Sequence, residues 1–310
     1  MCILYDCNEL ETSCSSCLGR NLVGFTCGWC SNECAVTEEC SHTFLTTTAM
    51  CPLPIIDSVQ PNRGPTARGT HVYISGTDLG ASYSDVIEVS LQSVTGTSVS
   101  CLLAGEETYV LGRGIVCVTP SVMLGGNYVL KVRIQRESIA EMVSAPYSYE
   151  EPRLTAVDPA FGPKSGGIEV VISGSSLSIG NIHNTGILLN GVECEIISIL
   201  DTHISCVSGE FQGSMFGVSV AVVAFIDNAN VSGDGVKFTY REDPVYFSVS
   251  PQRVIPAGGI NLTLTGMNFD VVVEPVFVYT DARLSGSVGV LYTYLSYCVA
   301  FTVFFTGWTV

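Results

Sequence analysis

Charge is scarce in this chain and unevenly signed. Of its 310 residues only 14% are charged, and 13 Lys and Arg stand against 29 Asp and Glu, for a formal net charge of −16. No basic cluster occurs, so the electrostatic footprint of a nucleic-acid or anionic-membrane binder is missing. Histidine is equally sparse: His42, His71, His183 and His203 stand singly, with no H-E-x-x-H pair to hold a catalytic metal. There is no G-x-S-x-G elbow for a serine nucleophile and no G-x-x-x-x-G-K-[ST] phosphate loop. Gly162-Pro163-Lys164-Ser165-Gly166-Gly167 resembles a phosphate loop superficially, but it falls in the turn of a repeat. The stretch from Asp227 to Gly233 places Ala229 and Val231 where a calcium loop needs oxygen ligands, and it reads as a solvated hairpin tip. These absences exclude catalytic, metal and cofactor chemistry, and no small-molecule substrate is expected.

What the chain does have is cysteine. Fourteen cysteines are too many for a reducing cytosol and suit a secreted or surface protein that uses them as staples. The sequons Asn230-Val231-Ser232 and Asn261-Leu262-Thr263 agree with an extracellular location and make Asn230 and Asn261 candidate glycosylation sites. No basic then apolar leader opens the chain, which is expected of an internal piece of a longer protein.

Nine of the fourteen cysteines lie between Cys2 and Cys51, in a segment with hardly any periodic apolar pattern. Cys14/Cys17 and Cys27/Cys30 form two C-x-x-C pairs that could be read as a four-thiolate zinc site. Zinc would leave Cys7, Cys34, Cys40 and Cys51 without a role, so disulfides are the better reading. A thioredoxin-like role for Cys27-Gly28-Trp29-Cys30 needs a βαβ context that is missing. Farther along, Cys101 with Cys117 and Cys194 with Cys206 make one pair per repeat. Cys2 and Cys298 are left over, as if their partners lay in sequence outside this chain.

After Pro52 the chain repeats itself. Pro61, Pro159 and Pro251 are each followed by a Gly eight residues on (Gly69, Gly167, Gly259) and by a second Gly fifteen residues on (Gly76, Gly174, Gly266). Between the glycines, His71-Val72-Tyr73-Ile74, Glu169-Val170-Val171-Ile172 and Asn261-Leu262-Thr263-Leu264 alternate as half-buried strands do. The closing Gly is expected to permit a bend that a Cβ would resist. Spacings of 98 and 92 residues between the prolines match the ~100 residues of an immunoglobulin-type sandwich. The fold class is therefore all-β: immunoglobulin-like sandwich repeats behind a small disulfide-rich module.

The expected division is a cysteine-rich module over 1–52, a first sandwich over 53–150, a second over 151–242, the start of a third over 243–282, and an atypical apolar tail over 283–310. The junctions Glu150-Glu151-Pro152 and Glu242-Asp243-Pro244 are short and stiffened by Pro, so consecutive sandwiches should be held semi-rigidly. Ser285 to Val310 carries no charge and is long enough for a membrane span. A glycolipid-anchor tail and translated non-coding sequence are the other readings, and the last is preferred.

Cys7, Cys14, Cys17, Cys27-Gly28-Trp29-Cys30, Cys34, Cys40 and Cys51 together resemble the plexin-semaphorin-integrin (PSI) module, and the three Pro…Gly…Gly segments resemble IPT/TIG sandwiches. The order of modules, with Phe238-Thr239-Tyr240-Arg241-Glu242-Asp243-Pro244, is similar to the Met/Ron (hepatocyte growth factor receptor) family, with plexins as the alternative. The PSI resemblance implies bridges Cys7–Cys27, Cys14–Cys51, Cys17–Cys34 and Cys30–Cys40; by the residues alone, eight cysteines allow 105 connectivities. It further implies a non-catalytic stalk on the extracellular side of a single-pass membrane receptor. The implied partners are a scatter-factor-type growth factor, or a semaphorin if the chain is plexin-like, and a second receptor chain.

Overall fold

The computed structural model describes residues 7, 13–20, 27–136, 139–213, 217–253, 260–272, 277–280, 285–288 and 299–305. It forms two compact units: the first is Met1–Pro152 with Ser178–Thr185 and Phe225–Asn230, and the second is the remainder.

Unit 1 opens with the cysteine-rich module. Helix α1 (Cys14–Gly19) begins at a capping box, in which the Ser13 side chain accepts the Ser16 N–H and the Ser16 hydroxyl reaches back to the Ser13 backbone. Against it lies a three-stranded sheet of order β2–β1–β3, built from β1 (Cys27–Cys30), β2 (Glu33–Val36) and β3 (Phe44–Leu45). The core here consists largely of sulfur: Cys7, Cys14, Cys17, Cys34 and Cys51 pack around Trp29, which is 7% exposed.

The first sandwich follows, with β4 (Ile55–Gln60), β5 (Arg63–Pro65), β6 (His71–Thr77), β7 (Val86–Ser93), β8 (Ser98–Leu103), β9 (Gly114–Val118), β10 (Gly126–Arg136) and β11 (Ile139–Glu150) in the order β4–β6–β9–β8–β7–β10–β11–β5. Strand β8 belongs to both layers. Its residues Ser98 to Cys101 pair with β7, and Leu102 and Leu103 pair with β9. Period-two alternation fills the interior, so β6 buries Val72 and Ile74 while His71 and Tyr73 face out. These join Leu91, Ile115, Leu130, Val132, Ile134, Tyr147 and Tyr149 in one core.

The same topology recurs in β12 (Arg153–Asp158), β13 (Phe161–Pro163), β14 (Glu169–Ser175), β15 (Thr185–Leu189), β16 (Val192–Ile199), β17 (His203–Ser208), β18 (Ser219–Ile226) and β19 (Ala229–Arg241), ordered β12–β14–β17–β16–β15–β18–β19–β13. Strands β5 and β13 each run parallel to the last strand of their sandwich, a pairing that a chain crossing from one layer to the other makes possible. The all-β reading thus holds, with a sandwich topology that repeats strand for strand.

The repeated residues occupy equivalent places. Pro61, Pro159 and Pro251 each follow a cis peptide bond. A β-bulge at Ile56/Ser58, Leu154/Ala156 and Tyr246/Ser248 breaks the register of each first strand. The second glycine lies opposite that bulge. A Cβ on Gly76, Gly174 or Gly266 would collide with the carbonyl oxygen of Ile55, Arg153 or Val245. These glycines therefore serve close backbone approach, which corrects the expectation of a bend. Gly69 and Gly167, by contrast, hold φ of +115° and +80°, and Gly259 lies outside the described residues.

The third repeat begins with β20 (Val245–Ser250) and β21 (Ile260–Met267), separate from a two-stranded sheet of β22 (Phe277–Thr280) and β23 (Ser285–Val288). In the apolar tail, β24 (Val299–Phe305) pairs antiparallel with β21 from Ile260↔Phe305 to Gly266↔Val299. The position of β24 beside β21 corresponds to that of β9 beside β6 and β17 beside β14. Among the described residues no helix is long and apolar enough to cross a membrane. Apart from β23 and β24 the tail, with Cys298, lies outside the described residues, as does Cys2.

Candidate functional site: the cysteine-rich module and its seat

The structure joins Cys7 to Cys27, Cys14 to Cys51, Cys17 to Cys34 and Cys30 to Cys40 in the module. It also joins Cys101 to Cys117 and Cys194 to Cys206 in the sandwiches. Each sandwich bridge ties neighbouring strands, β8 to β9 and β16 to β17. Cysteine sulfurs gather with Asp78 beside the Cys14–Cys51 bridge, but sulfurs bonded to each other carry no thiolate for a metal.

The module sits on the first sandwich through polar contacts that are nearly sealed from water. Asp78, at φ +57° just after β6, accepts the Ser15 N–H at 2.7 Å and is 5% exposed. Burial pushes its carboxyl above the ordinary aspartate value, against the opposing pull of the Ser15 N–H and the Arg136 guanidinium. Arg136 ends β10 and is 4% exposed. Its Nη1 donates to the carbonyls of Cys51 at 2.6 Å and Pro52 at 2.9 Å, and its Nη2 to Glu141 Oε1 at 3.2 Å. Neither Asp78 nor Arg136 stands in a motif, so sequence reasoning missed them.

A second device closes the far end of each sandwich. Tyr149 donates its hydroxyl to the Pro120 carbonyl at 3.0 Å, and Tyr240 does the same to the Gly209 carbonyl at 3.0 Å. Both acceptors stand three residues beyond the second cysteine of the sandwich bridge, Cys117 or Cys206. Each tyrosine also packs edge-on against an aromatic two residues earlier, Tyr147 or Phe238, at 5.2 and 5.1 Å. Burial holds the Tyr240 hydroxyl up at about 12 and displaces Tyr147 and Tyr149 in the same direction. The sequence signal was available in the shared Tyr and Phe endings of the repeats.

Asp227 corrects the reading of a solvated acidic tip. Its carboxylate accepts from the Thr70 hydroxyl at 2.7 Å, from the Asn181 N–H at 3.2 Å and from Asn184 Nδ2 at 3.2 Å. All four residues belong to unit 1. The phosphate-loop look-alike is a turn, closed by the Gly166 N–H on the Pro163 carbonyl at 3.0 Å. Of the sequons, Asn230 and Ser232 are exposed on β19 with Val231 buried between them. Asn261 lies on β21, and its side chain is outside the described residues.

The family model "IPT/TIG domain" matches residues 54–150 and 152–240. The chain is 27% identical to mouse Plexin-B2 over 271 residues, covering 87% of the chain and 14% of that protein. It is 30% identical to human Plexin-A2 over 284 residues, covering 88% of the chain and 14% of that protein. Among solved structures, the full extracellular region of Plexin A4 superposes with a TM-score of 0.75 at 23% identity, covering 97% of this chain and 25% of that one. This chain thus spans about one seventh of the length of the plexins it matches. The finer resemblance to Met/Ron receptors is not supported, and plexins are the better fit. The junction from Phe238 to Pro244 is the closing strand of one sandwich and a three-residue connection to the next, which any tandem sandwich needs, so it carries no choice between receptor families.

Proposed function

The chain belongs to the IPT/TIG domain family, and from that premise we propose that it is a stalk segment of a plexin-type receptor, on the extracellular side of the cell surface. It is a non-catalytic segment, as its family and its plexin relatives mark it. Its proposed role is to set a ligand-binding head at a defined place and to offer sandwich surface to a second receptor chain. The observation that carries this reading is the plexin likeness over 87% of the chain. Six disulfides among the described residues and an exposed sequon at Asn230 suit an oxidising, glycosylating secretory route.

The proposed ligand class is a semaphorin-type protein, taken up by a head domain in front of the module. The test is surface binding of a semaphorin ectodomain to this chain alone and to the chain with a plexin head fused in front. Saturable binding that needs the head supports the stalk reading. Equal binding without the head would replace it with direct ligand recognition by the module and sandwiches. We further propose that Asn230 and Asn261 carry N-linked glycans. Enzymatic deglycosylation of the secreted chain should convert both to Asp, read by peptide mass, and an unmodified Asn at either position removes that site.

A further inference from the structure

The Cys14–Cys51 bridge borders the first sandwich, and that sandwich holds the chain on both sides of it. Asp78 grips the residue after Cys14 through the Ser15 N–H, and Arg136 grips the carbonyls of Cys51 and Pro52. The Asp78 carboxylate lies within 4.8 Å of both bridge sulfurs. Backbone approach is equally close. A Cβ on Gly19 of α1 would collide with the Ala81 carbonyl, and one on Gly112 would meet the backbone N of Ser16 at 2.9 Å. Between Cys51 and β4 only Pro52, Leu53 and Pro54 intervene, two of them with φ fixed by the ring.

We propose that the cysteine-rich module and the first sandwich open and close as one cooperative unit, with Asp78 and Arg136 as the positioning residues that couple them. The physical reason is the fate of the two buried charges. A guanidinium sealed from water needs its acceptors, and two of the acceptors of Arg136 are carbonyls at the end of the module. If the module lifted away, Arg136 would lose those acceptors and Asp78 would lose its N–H donor, while both stay anchored in the sandwich. Undocking therefore gives up two charge-assisted hydrogen bonds of Arg136 and one of Asp78 at once, while only the Glu141 contact stays with the sandwich. The module, whose core is mostly sulfur, gains from the sandwich what its own size denies it.

Native-state hydrogen exchange of the full chain in low urea, read by peptide mass, tests this directly. In the unaltered protein, amides of β1 and β2 and amides of β6 and β10 should exchange through an opening with the same urea dependence. Arg136→Met, which keeps bulk and removes the donors, should raise exchange of β1 and β2 at least about a hundredfold while β10 changes much less, because breaking one side of a buried charged contact is costly. Asp78→Ala should act the same way. Asp78→Asn, which still offers an acceptor to Ser15, should restore coupling and so separates gripping from folding. The proposal is overturned if module and sandwich already open separately in the unaltered chain. It is equally overturned if Arg136→Met and Asp78→Ala raise exchange in both parts alike, the signature of a residue that merely stabilises the sandwich.

Discussion

At the residue scale, glycine positions that look alike in the sequence are required for different reasons. Gly76 and Gly174 face a carbonyl oxygen of the neighbouring strand at a bulge, so a methyl group there must push backbone aside. Gly76→Ala or Gly174→Ala should lower stability by about 1–3 kcal/mol in urea unfolding, the range of overpacking. Gly186→Ala, where an added Cβ meets nothing within 4 Å, should be neutral or stabilising by about 0.4–1 kcal/mol through the unfolded chain. Equal losses at all three positions would remove the close-approach account.

At the element scale, the last strand of each sandwich is fastened by a tyrosine. Tyr240→Phe leaves the ring packed on Phe211 and Phe238 but removes the bond to the Gly209 carbonyl, and should cost about 1 kcal/mol. The sign of its pH dependence follows from burial. The folded-state value is raised from 10 to about 12, so the contribution of Tyr240 is fully present below pH 10 and is lost as pH rises from 10 towards 12. Spectrophotometric titration and urea unfolding of Tyr240→Phe should show a shallower alkaline loss than the unaltered chain; an unchanged slope would mean that Tyr240 ionises as it does in the unfolded state. The strand pair β16–β17 has a covalent tie as well. Replacing Cys194 and Cys206 together by Ala opens a loop of sequence separation 12 and should cost about 3 kcal/mol in the chain-entropy account, read as a fall in the urea midpoint.

At the scale of the whole molecule, the bridges differ in shelter more than in kind. Cys14 and Cys17 are sealed completely, whereas Cys40 is only partly covered and is flanked by exposed residues. Thiol–disulfide exchange needs an attacking thiolate to reach a sulfur. Under graded reduction without denaturant, Cys30–Cys40 should therefore open first and Cys14–Cys51 last, as read by stepwise alkylation and peptide mass. Early loss of Cys14–Cys51 would mean that Asp78, Arg136 and the sandwich do not shelter it. Because the module has little apolar core besides Trp29, full reduction should unfold it and weaken the first sandwich that opens with it, while the second sandwich keeps its core of Val170, Ile172 and Val222.

What the sequence determined by itself is whatever depends on local pattern. Alternation in His71–Ile74 and Glu169–Ile172, with prolines and glycines at constant offsets, was enough to place strands and to count sandwiches, because the two-residue period of a strand is written residue by residue. The cysteine content pointed to an oxidising compartment on the same footing. Tertiary structure decided everything that depends on meetings between distant residues. Ser15 meets Asp78 across 63 positions, and Arg136 meets Cys51 across 85, with no motif to announce either. Asp227 reads as one acid on a polar tip until the fold brings Thr70 to it from 157 positions away. Even the shared glycines show the division: their spacing is visible in the chain, but the carbonyl that excludes a Cβ at Gly76, Gly174 and Gly266 exists only once the neighbouring strand is paired. Local periodicity is cheap to encode because each residue reports its own exposure, whereas a buried polar contact is defined only by the partner that folding brings within reach.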